Sequence, residues 1–274
     1  NEADLTIATI PVPLSEAKHF GIVEIDEDFR VTGFVEKPKE GAKTIPGRPD
    51  MVLASMGNYI FDARVMIDVL QRNALRDSAH DFGKEIIPDM YPRMKVYAYD
   101  FGKNFIPGEE GYNQGYWRDV GTVDAYFEAS MDLVAVTPLF NLYNPLWPIV
   151  SAPMHLPPAK FVFADAQSQR IGIATDSLVS DGAIISGGTI NRCILHPRVR
   201  IHSYADIDES ILMDGVDIGR HSKIRRTIID KGVRIPPHTT IGYDLEQDRQ
   251  RFTVTDSGIV VVPKGAEIEE KVTA

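Results

Sequence analysis

From Leu178 to Ile241 the chain reads LVSDGAIISGGTINRCILHPRVRIHSYADIDESILMDGVDIGRHSKIRRTIIDKGVRIPPHTTI. Taken every sixth residue it gives Leu178, Ile184 and Ile190, and after a step of five it restarts at Leu195, Ile201 and Ile207. The next sets are Leu212, Ile218, Ile224 and Ile229, Ile235, Ile241, so all twelve positions are Ile or Leu. Two further columns keep the same 17-residue step: Val199, Val216, Val233 and Cys193, Ser210, Thr227. A helix or a simple hairpin sheet needs no such period. A three-sided coil does, because each side is a short strand with one inward aliphatic and stacked turns bury a column that no single turn could hide. The expectation is a parallel β-helix of about four turns over residues 163–243.

Outside the repeat, composition sets broad bounds. A chain of 274 residues is long enough for two cored domains, and its 43% hydrophobic and 25% charged residues are ordinary for a globular protein. A net charge of −10 disfavours nonspecific binding to nucleic acid or anionic membranes. The single cysteine, Cys193, permits no intrachain disulfide, which suits a reducing, cytoplasmic setting. No apolar run approaches the roughly 18 residues of a membrane span. The opening Asn1-Glu2-Ala3-Asp4 is no signal peptide and runs straight into an apolar strand, so the chain is expected to begin inside something larger.

Residues 5–10 read as a strand stopped by Pro11. Phe20–Ile25 and Val31–Val35 alternate as a hairpin around Asp26-Glu27-Asp28, and Met51–Phe61 is a further buried strand. Asp62 caps a helix over 63–75, a second helix follows Asp81 and ends near Pro88, and Lys95–Tyr99 is a strand. Thr122 caps a last helix with Val123, Tyr126, Phe127, Ser130 and Val134 on one face. Strands alternating with helices predict an α/β domain with a mostly parallel sheet over 1–136. Six prolines between Pro138 and Pro158 make 137–162 an extended connector, and 244–274 is a tail whose Gly258–Val262 reads as a strand.

Three stretches carry chemistry. Phe34-Val35-Glu36-Lys37-Pro38 closes a strand, where α/β sheets bind ligands. The carboxylate can accept from vicinal sugar hydroxyls, while the ammonium offers donors and a point charge to a phosphate; the plainer alternative is an exposed ion pair. In Ala54-Ser55-Met56-Gly57 a hydroxyl and a glycine interrupt a buried strand, which fits either close approach of a ligand or small-residue packing. In Tyr116-Trp117-Arg118-Asp119-Val120-Gly121-Thr122, Asp119 is a hard oxygen donor suited to Mg²⁺, or a partner of Arg118 or of the helix start.

Together with His19-Phe20-Gly21, His80-Asp81-Phe82-Gly83-Lys84, Leu156–Val162 and Ile224–Asp230, these stretches resemble bacterial glucose-1-phosphate adenylyltransferases over nearly the whole chain. The resemblance implies the C-terminal part of a Rossmann-like nucleotidyltransferase domain followed by a left-handed parallel β-helix. It implies that Gly21, Glu36, Ser55 and Asp81 hold glucose 1-phosphate, that Lys37 binds its phosphate, and that Asp119 is one of two aspartates on Mg²⁺. Lys37 and Asp119 are then the catalytic pair. The family's glycine-rich ATP loop and second metal aspartate have no counterpart here and are expected before residue 1, so the chain alone is expected not to make ADP-glucose. Lys231 and Lys264 match positions where the family binds phosphorylated effectors, Arg225-Arg226 is expected to face the same site, and the family precedent is a homotetramer.

Two rival readings share these features. A β-helix also suggests a hexapeptide acyltransferase with His196, His202, His221 or His238 as base, but these are scattered toward corners. A catalytically silent regulatory subunit would tend to lose site residues, whereas Glu36, Lys37, Ser55 and Asp119 are all present.

Overall fold

The computed structural model describes residues 2–108, 115–162, 164–165, 167–168 and 170–269. They divide into two compact units, Asn1–Trp117 and Arg118–Ala274.

The first unit is built on β1 (Leu5–Pro13), β2 (Gly21–Ile25), β3 (Val31–Glu36), β4 (Met51–Phe61) and β5 (Val96–Asp100), in the sheet order β3-β2-β4-β1-β5. Alternation along β1 buries Leu5, Ile7 and Thr9, and the Thr9 hydroxyl donates to the Tyr99 carbonyl at 2.9 Å. The core is closed by α1 (Ala63–Ala74) and α2 (Ile87–Met90) through Val69, Ile87 and Met90. Asp62 caps α1 as expected, accepting from the Arg64 and Val65 amides.

Three expectations are corrected here. The sheet is mostly antiparallel: β1 pairs with β4, and β2 with β3 and β4, in antiparallel fashion, and β5 alone lies parallel, beside β1. The β2–β3 hairpin has a turn too short for a parallel pair, and only β5 is reached after a helical excursion. Pro11 does not stop β1. Beyond Thr9 the strand has β4 on one side and no β5 residue on the other, so alternate prolines 11 and 13 leave their missing N–H groups on the open side. The helix expected after Asp81 is a π turn, Phe82–Ile86, that runs into α2 and on past Pro88, which is tolerated in that helix's first turn.

In the second unit, α3 (Val123–Asp132) is capped by the Thr122 hydroxyl and seats Phe127 against Ile211, Ile228 and Ile259. This helix, grouped with residues 1–136 in the sequence reading, thus packs on the repeat, and it ends before Val134. The repeat is a three-faced prism of short parallel strands. One face runs from Lys160–Val162 through Ile184–Ser186, Arg200–Ile201 and Asp217–Ile218 to Arg234–Ile235. The next runs from Ile173–Thr175 to Thr240–Ile241, and the third from Leu178–Val179 to Thr227–Ile229. Lys160–Val162, expected as connector, is therefore already prism.

Ile190, Ile207, Ile224 and Ile241 stack on one face, Leu195, Leu212 and Ile229 on another, and Ile201, Ile218 and Ile235 on the first, all buried. The first turn departs from expectation. Ile185 and Val179, not Ile184 and Leu178, lie in register with Ile201 and Leu195. The corner at Gly187 is one residue shorter than its successors, and a one-residue slip moves a strand's side chains to the other face. Each corner stacks residues of positive φ: Gly187, Tyr204, His221 and His238 at one, Arg192, Glu209 and Arg226 at another, Gly182, Arg198, Gly215 and Gly232 at the third. The polar column is a ladder, in which Cys193 Sγ accepts the Ser210 amide and Ser210 Oγ accepts the Thr227 amide at 3.2 Å.

The tail closes the prism. The strand Val260–Val262 joins the third face parallel to Thr227–Ile229, with Thr253–Val254 antiparallel beside it. At the turn into α4 (Leu245–Arg249), the buried Asp248 carboxylate accepts the Gly242 amide at 2.7 Å and pairs with Arg251 at 2.6 Å.

Candidate active site

The last residues of β3 and the first of β2 face each other, with Gly21 opposite Glu36. A Cβ on Gly21 would stand 2.7 Å from Glu36 Oε2, and one on Gly83 would stand 2.8 Å from the same oxygen. The Glu36 carboxylate therefore lies between two residues that only glycine leaves open. Gly83 belongs to the π turn that Asp81 caps, with Asp81 Oδ1 accepting the Lys84 amide at 2.8 Å. Asp81 and Glu36 are thus brought to one place from distant parts of the chain.

β4 supplies the third wall. Between Ser55 and Tyr59 it carries two more residues than β1 does between Thr9 and Ile7, and Gly57 takes a positive φ of 73° within that bulge. Such bulges re-aim side chains. The Ser55 and Tyr59 hydroxyls meet at 3.5 Å, and Ser55 Oγ also accepts the Gly57 amide at 3.3 Å. Burial raises the Tyr59 phenol above its ordinary pKa; the Ser55 hydrogen bond opposes this, and the Glu36 and Asp81 carboxylates add to it. Tyr59 thus keeps its proton and remains a donor. Phe82 stacks on its ring at 5.7 Å.

Lys37 follows at φ 49°, its amide donating to the Phe20 carbonyl at 3.0 Å. Its ammonium lies 3.9 Å from Glu36, and with 62% of the side chain exposed the pair is worth little and leaves the cation available to an anion. Phe20 in turn meets the Trp117 ring edge at 5.7 Å. Four of the five anticipated substrate residues, Gly21, Glu36, Lys37 and Asp81, gather here, and Ser55 is joined to them through Tyr59. The sequence reading missed Tyr59 and Gly83. Tyr59 stands two residues past Gly57 in the same strand, but that spacing does not mark its meeting with Glu36 and Asp81.

Asp119 lies in the second unit. It is exposed, and its Oδ1 accepts the Gly121 amide at 3.2 Å in a turn leading to α3. A Cβ on Gly121 would stand 3.3 Å from both carboxylate oxygens, so glycine keeps them clear. This hard, open carboxylate fits Mg²⁺. Among the described residues no group of three or more His, Cys, Asp and Glu could hold a metal.

Lys231 and Lys264 share an anchor: the Asp230 carboxylate accepts both their amides, at 2.6 and 3.3 Å. Arg226 stands at another corner of the prism and Arg225 ends the strand before it. They pair with Asp208 and Glu209, and Arg226 lies over the Phe127 ring at 5.5 Å. Of the four histidines, His221 and His238 stack under Tyr204 at the corner, His202 pairs with Asp217 at 3.0 Å, and burial lowers the basicity of His196.

Residues 1–135 match the family described as nucleotidyl transferase, and residues 157–262 match the GlmU-like C-terminal hexapeptide family. A glucose-1-phosphate adenylyltransferase of an Anaeromyxobacter species is 58% identical over 268 residues, covering 97% of this chain and 65% of that protein. The chain is a relative of the glucose-1-phosphate adenylyltransferases. Those of Thermus thermophilus and Deinococcus radiodurans are 56% and 51% identical, each over 96% of this chain and 63% of their own length. The chain thus spans a little under two thirds of the length of the adenylyltransferases it matches. The hexapeptide match coincides with the three-faced prism, the left-handed parallel β-helix of the sequence reading, while the nucleotidyl-transferase match runs through α3. No helix among the described residues is long and apolar enough to cross a membrane.

Proposed function

We propose that the protein carrying this sequence is a glucose-1-phosphate adenylyltransferase, which makes ADP-glucose and pyrophosphate from ATP and glucose 1-phosphate for glycogen synthesis. The observation that carries the proposal is the Glu36 carboxylate set between Gly21 and Gly83, with Asp81 and a protonated Tyr59 beside it. Two carboxylates and two hydroxyls in a glycine-lined recess suit the vicinal hydroxyls of a hexose, and the exposed Lys37 ammonium next to them suits its phosphate.

In this reading Glu36, Ser55 and Asp81 bind and orient the sugar, and Lys37 holds the phosphate so that one of its oxygens faces the α-phosphorus of ATP. That oxygen forms the new P–O bond as the bond to the β-phosphate oxygen breaks, and the electron pair leaves with pyrophosphate. No covalent enzyme intermediate is needed, and the protein's contribution is position and charge. Mg²⁺, held by Asp119 and the substrate phosphates, supplies further charge neutralisation when bound.

The same reading extends to regulation and assembly. Lys231 and Lys264, whose backbone amides Asp230 holds, are the cations that meet a phosphorylated effector, the protein is a homotetramer, and it works in the cytoplasm. Coupled release of pyrophosphate with ATP and glucose 1-phosphate tests the activity. We expect turnover that falls at least about a hundredfold in Lys37→Ala, on the scale of a lost transition-state contact. Equal rates in the variant would overturn the assignment. Activator response is expected to weaken in Lys231→Ala and Lys264→Ala, and an unchanged response would remove these two residues from the effector site.

A further inference from the structure

The residue before Asp81 holds an unusual backbone. His80 has a φ of 55°, a left-handed conformation uncommon for a non-glycine residue, so its surroundings must hold it there. They do so through Asn73, a buried residue on the last turn of α1, 7% exposed. Asn73 Nδ2 donates to Glu85 Oε2 at 3.2 Å, and Asn73 Oδ1 meets His80 Nδ1 at 2.8 Å. Glu85 Oε1 accepts the Ala79 amide at 2.8 Å. Hydrogen bonding, from Ser78 first and then from Asn73 and the backbone, holds the Glu85 carboxyl below its ordinary range, so it is ionised and only accepts.

This fixes the directions of the two hydrogen bonds at Asn73. An acceptor-only Glu85 requires the NH₂ of Asn73 on its side, which leaves the Asn73 oxygen toward His80, so His80 Nδ1 is the donor. The neutral Nδ1–H tautomer and the imidazolium both donate there, and the network is the same in either state. One turn further on, Asp81 caps the Lys84 amide and Gly83 lies against Glu36.

We propose that Asn73 and His80 are positioning residues that set Asp81 and Gly83 at the pocket, so that α1, which supplies no pocket residue, determines the affinity for the sugar. The proposal rests on the sugar-phosphate reading of that pocket. The residues Ser78, Ala79, His80 and Glu85 act as one buckle, and the Asn73 amide is its pin.

Two variants and two readouts test it. Asn73→Ala removes the pin, whereas His80→Gly removes the ring yet keeps a residue at ease with positive φ. In the absence of ligand, hydrogen exchange at the Lys84 amide is expected to quicken about tenfold or more in both, with the Met66–Leu70 amides of α1 unchanged. The dissociation constant for glucose 1-phosphate, by calorimetry, is expected to rise about tenfold in both, the scale of one lost hydrogen bond. Unchanged Lys84 exchange in both variants overturns the proposal, as does affinity equal to the parent in both variants when Asp81→Asn weakens it. If the parent itself does not bind glucose 1-phosphate while Lys84 exchange quickens as expected, the positioning stands and the sugar-phosphate reading falls.

Discussion

Gly83 shows how a residue without a side chain can decide a site. A methyl group there would press Glu36 Oε2 at 2.8 Å, and because that oxygen ends a flexible side chain, the carboxylate would swing aside and the fold would remain. Gly83→Ala is therefore expected to change thermal stability by no more than about 1 kcal/mol, since removing a glycine's freedom itself stabilises by a similar amount. Glucose 1-phosphate affinity should fall about tenfold or more, because the displaced carboxylate loses a charge-assisted hydrogen bond. Calorimetry beside a melting curve checks this: a large loss of stability with affinity intact would contradict it. At this scale the sequence was informative where a charge stood at a strand end, as with Glu36 and Lys37. It was silent where a role depends on a meeting across the chain. Nothing near Tyr59 announces Glu36 and Asp81, and nothing in Asn73 announces His80.

Among the elements, the prism was the most legible, because its stacking repeats a chemical type at a fixed step. Its error was local. Leu178-Val179 and Ile184-Ile185 are adjacent aliphatic pairs, so pattern alone fits either register, and only the shortened corner at Gly187 decides. Substitution can read the register directly. Ile185→Ala should cost about 2–5 kcal/mol in denaturant unfolding, as for a fully buried aliphatic. Ile184→Ala should cost about 1 kcal/mol or less, being half-exposed, and the reverse order would restore the unbroken 17-residue step. The sheet of the first unit was less legible, because strand direction leaves no mark on composition and a helix between two strands does not make every neighbour parallel.

The polar ladder adds a pH dependence. Burial pushes the Cys193 thiol from 9.0 up to about 12. In the folded chain the thiol keeps its proton where the unfolded chain has lost it. The stabilisation is complete below about 9 and declines as pH rises toward about 12. Cys193→Ser, which restores the residue type found one turn on at Ser210, should remove this part of the alkaline decline. An identical alkaline profile for the two proteins would show that Cys193 does not titrate in this way.

Over the whole molecule, α3 groups by its contacts with the β-helix unit. The amphipathic face of α3 was visible, but its partner was not: Phe127 is buried against Ile211, Ile228 and Ile259 of the β-helix unit, with Arg226 over its ring and Asp124 hydrogen-bonded to Thr255 and Ser257 of the tail. Phe127→Ala is expected to destabilise the β-helix unit by about 3–5 kcal/mol and to expose the α3 amides to exchange. Protection of α3 that survived the substitution would mean that the helix is held by something else. Because α3 begins just after Asp119, its seat on the β-helix also fixes where the proposed metal carboxylate is carried.

The central claim is that the recess around Glu36 binds a sugar phosphate, and calorimetric titration with glucose 1-phosphate tests it most directly. The account predicts saturable binding by the parent protein that weakens about tenfold or more in Glu36→Gln and in Lys37→Gln, with both variants folded. Binding of equal strength in all three proteins, or none in the parent, would contradict it.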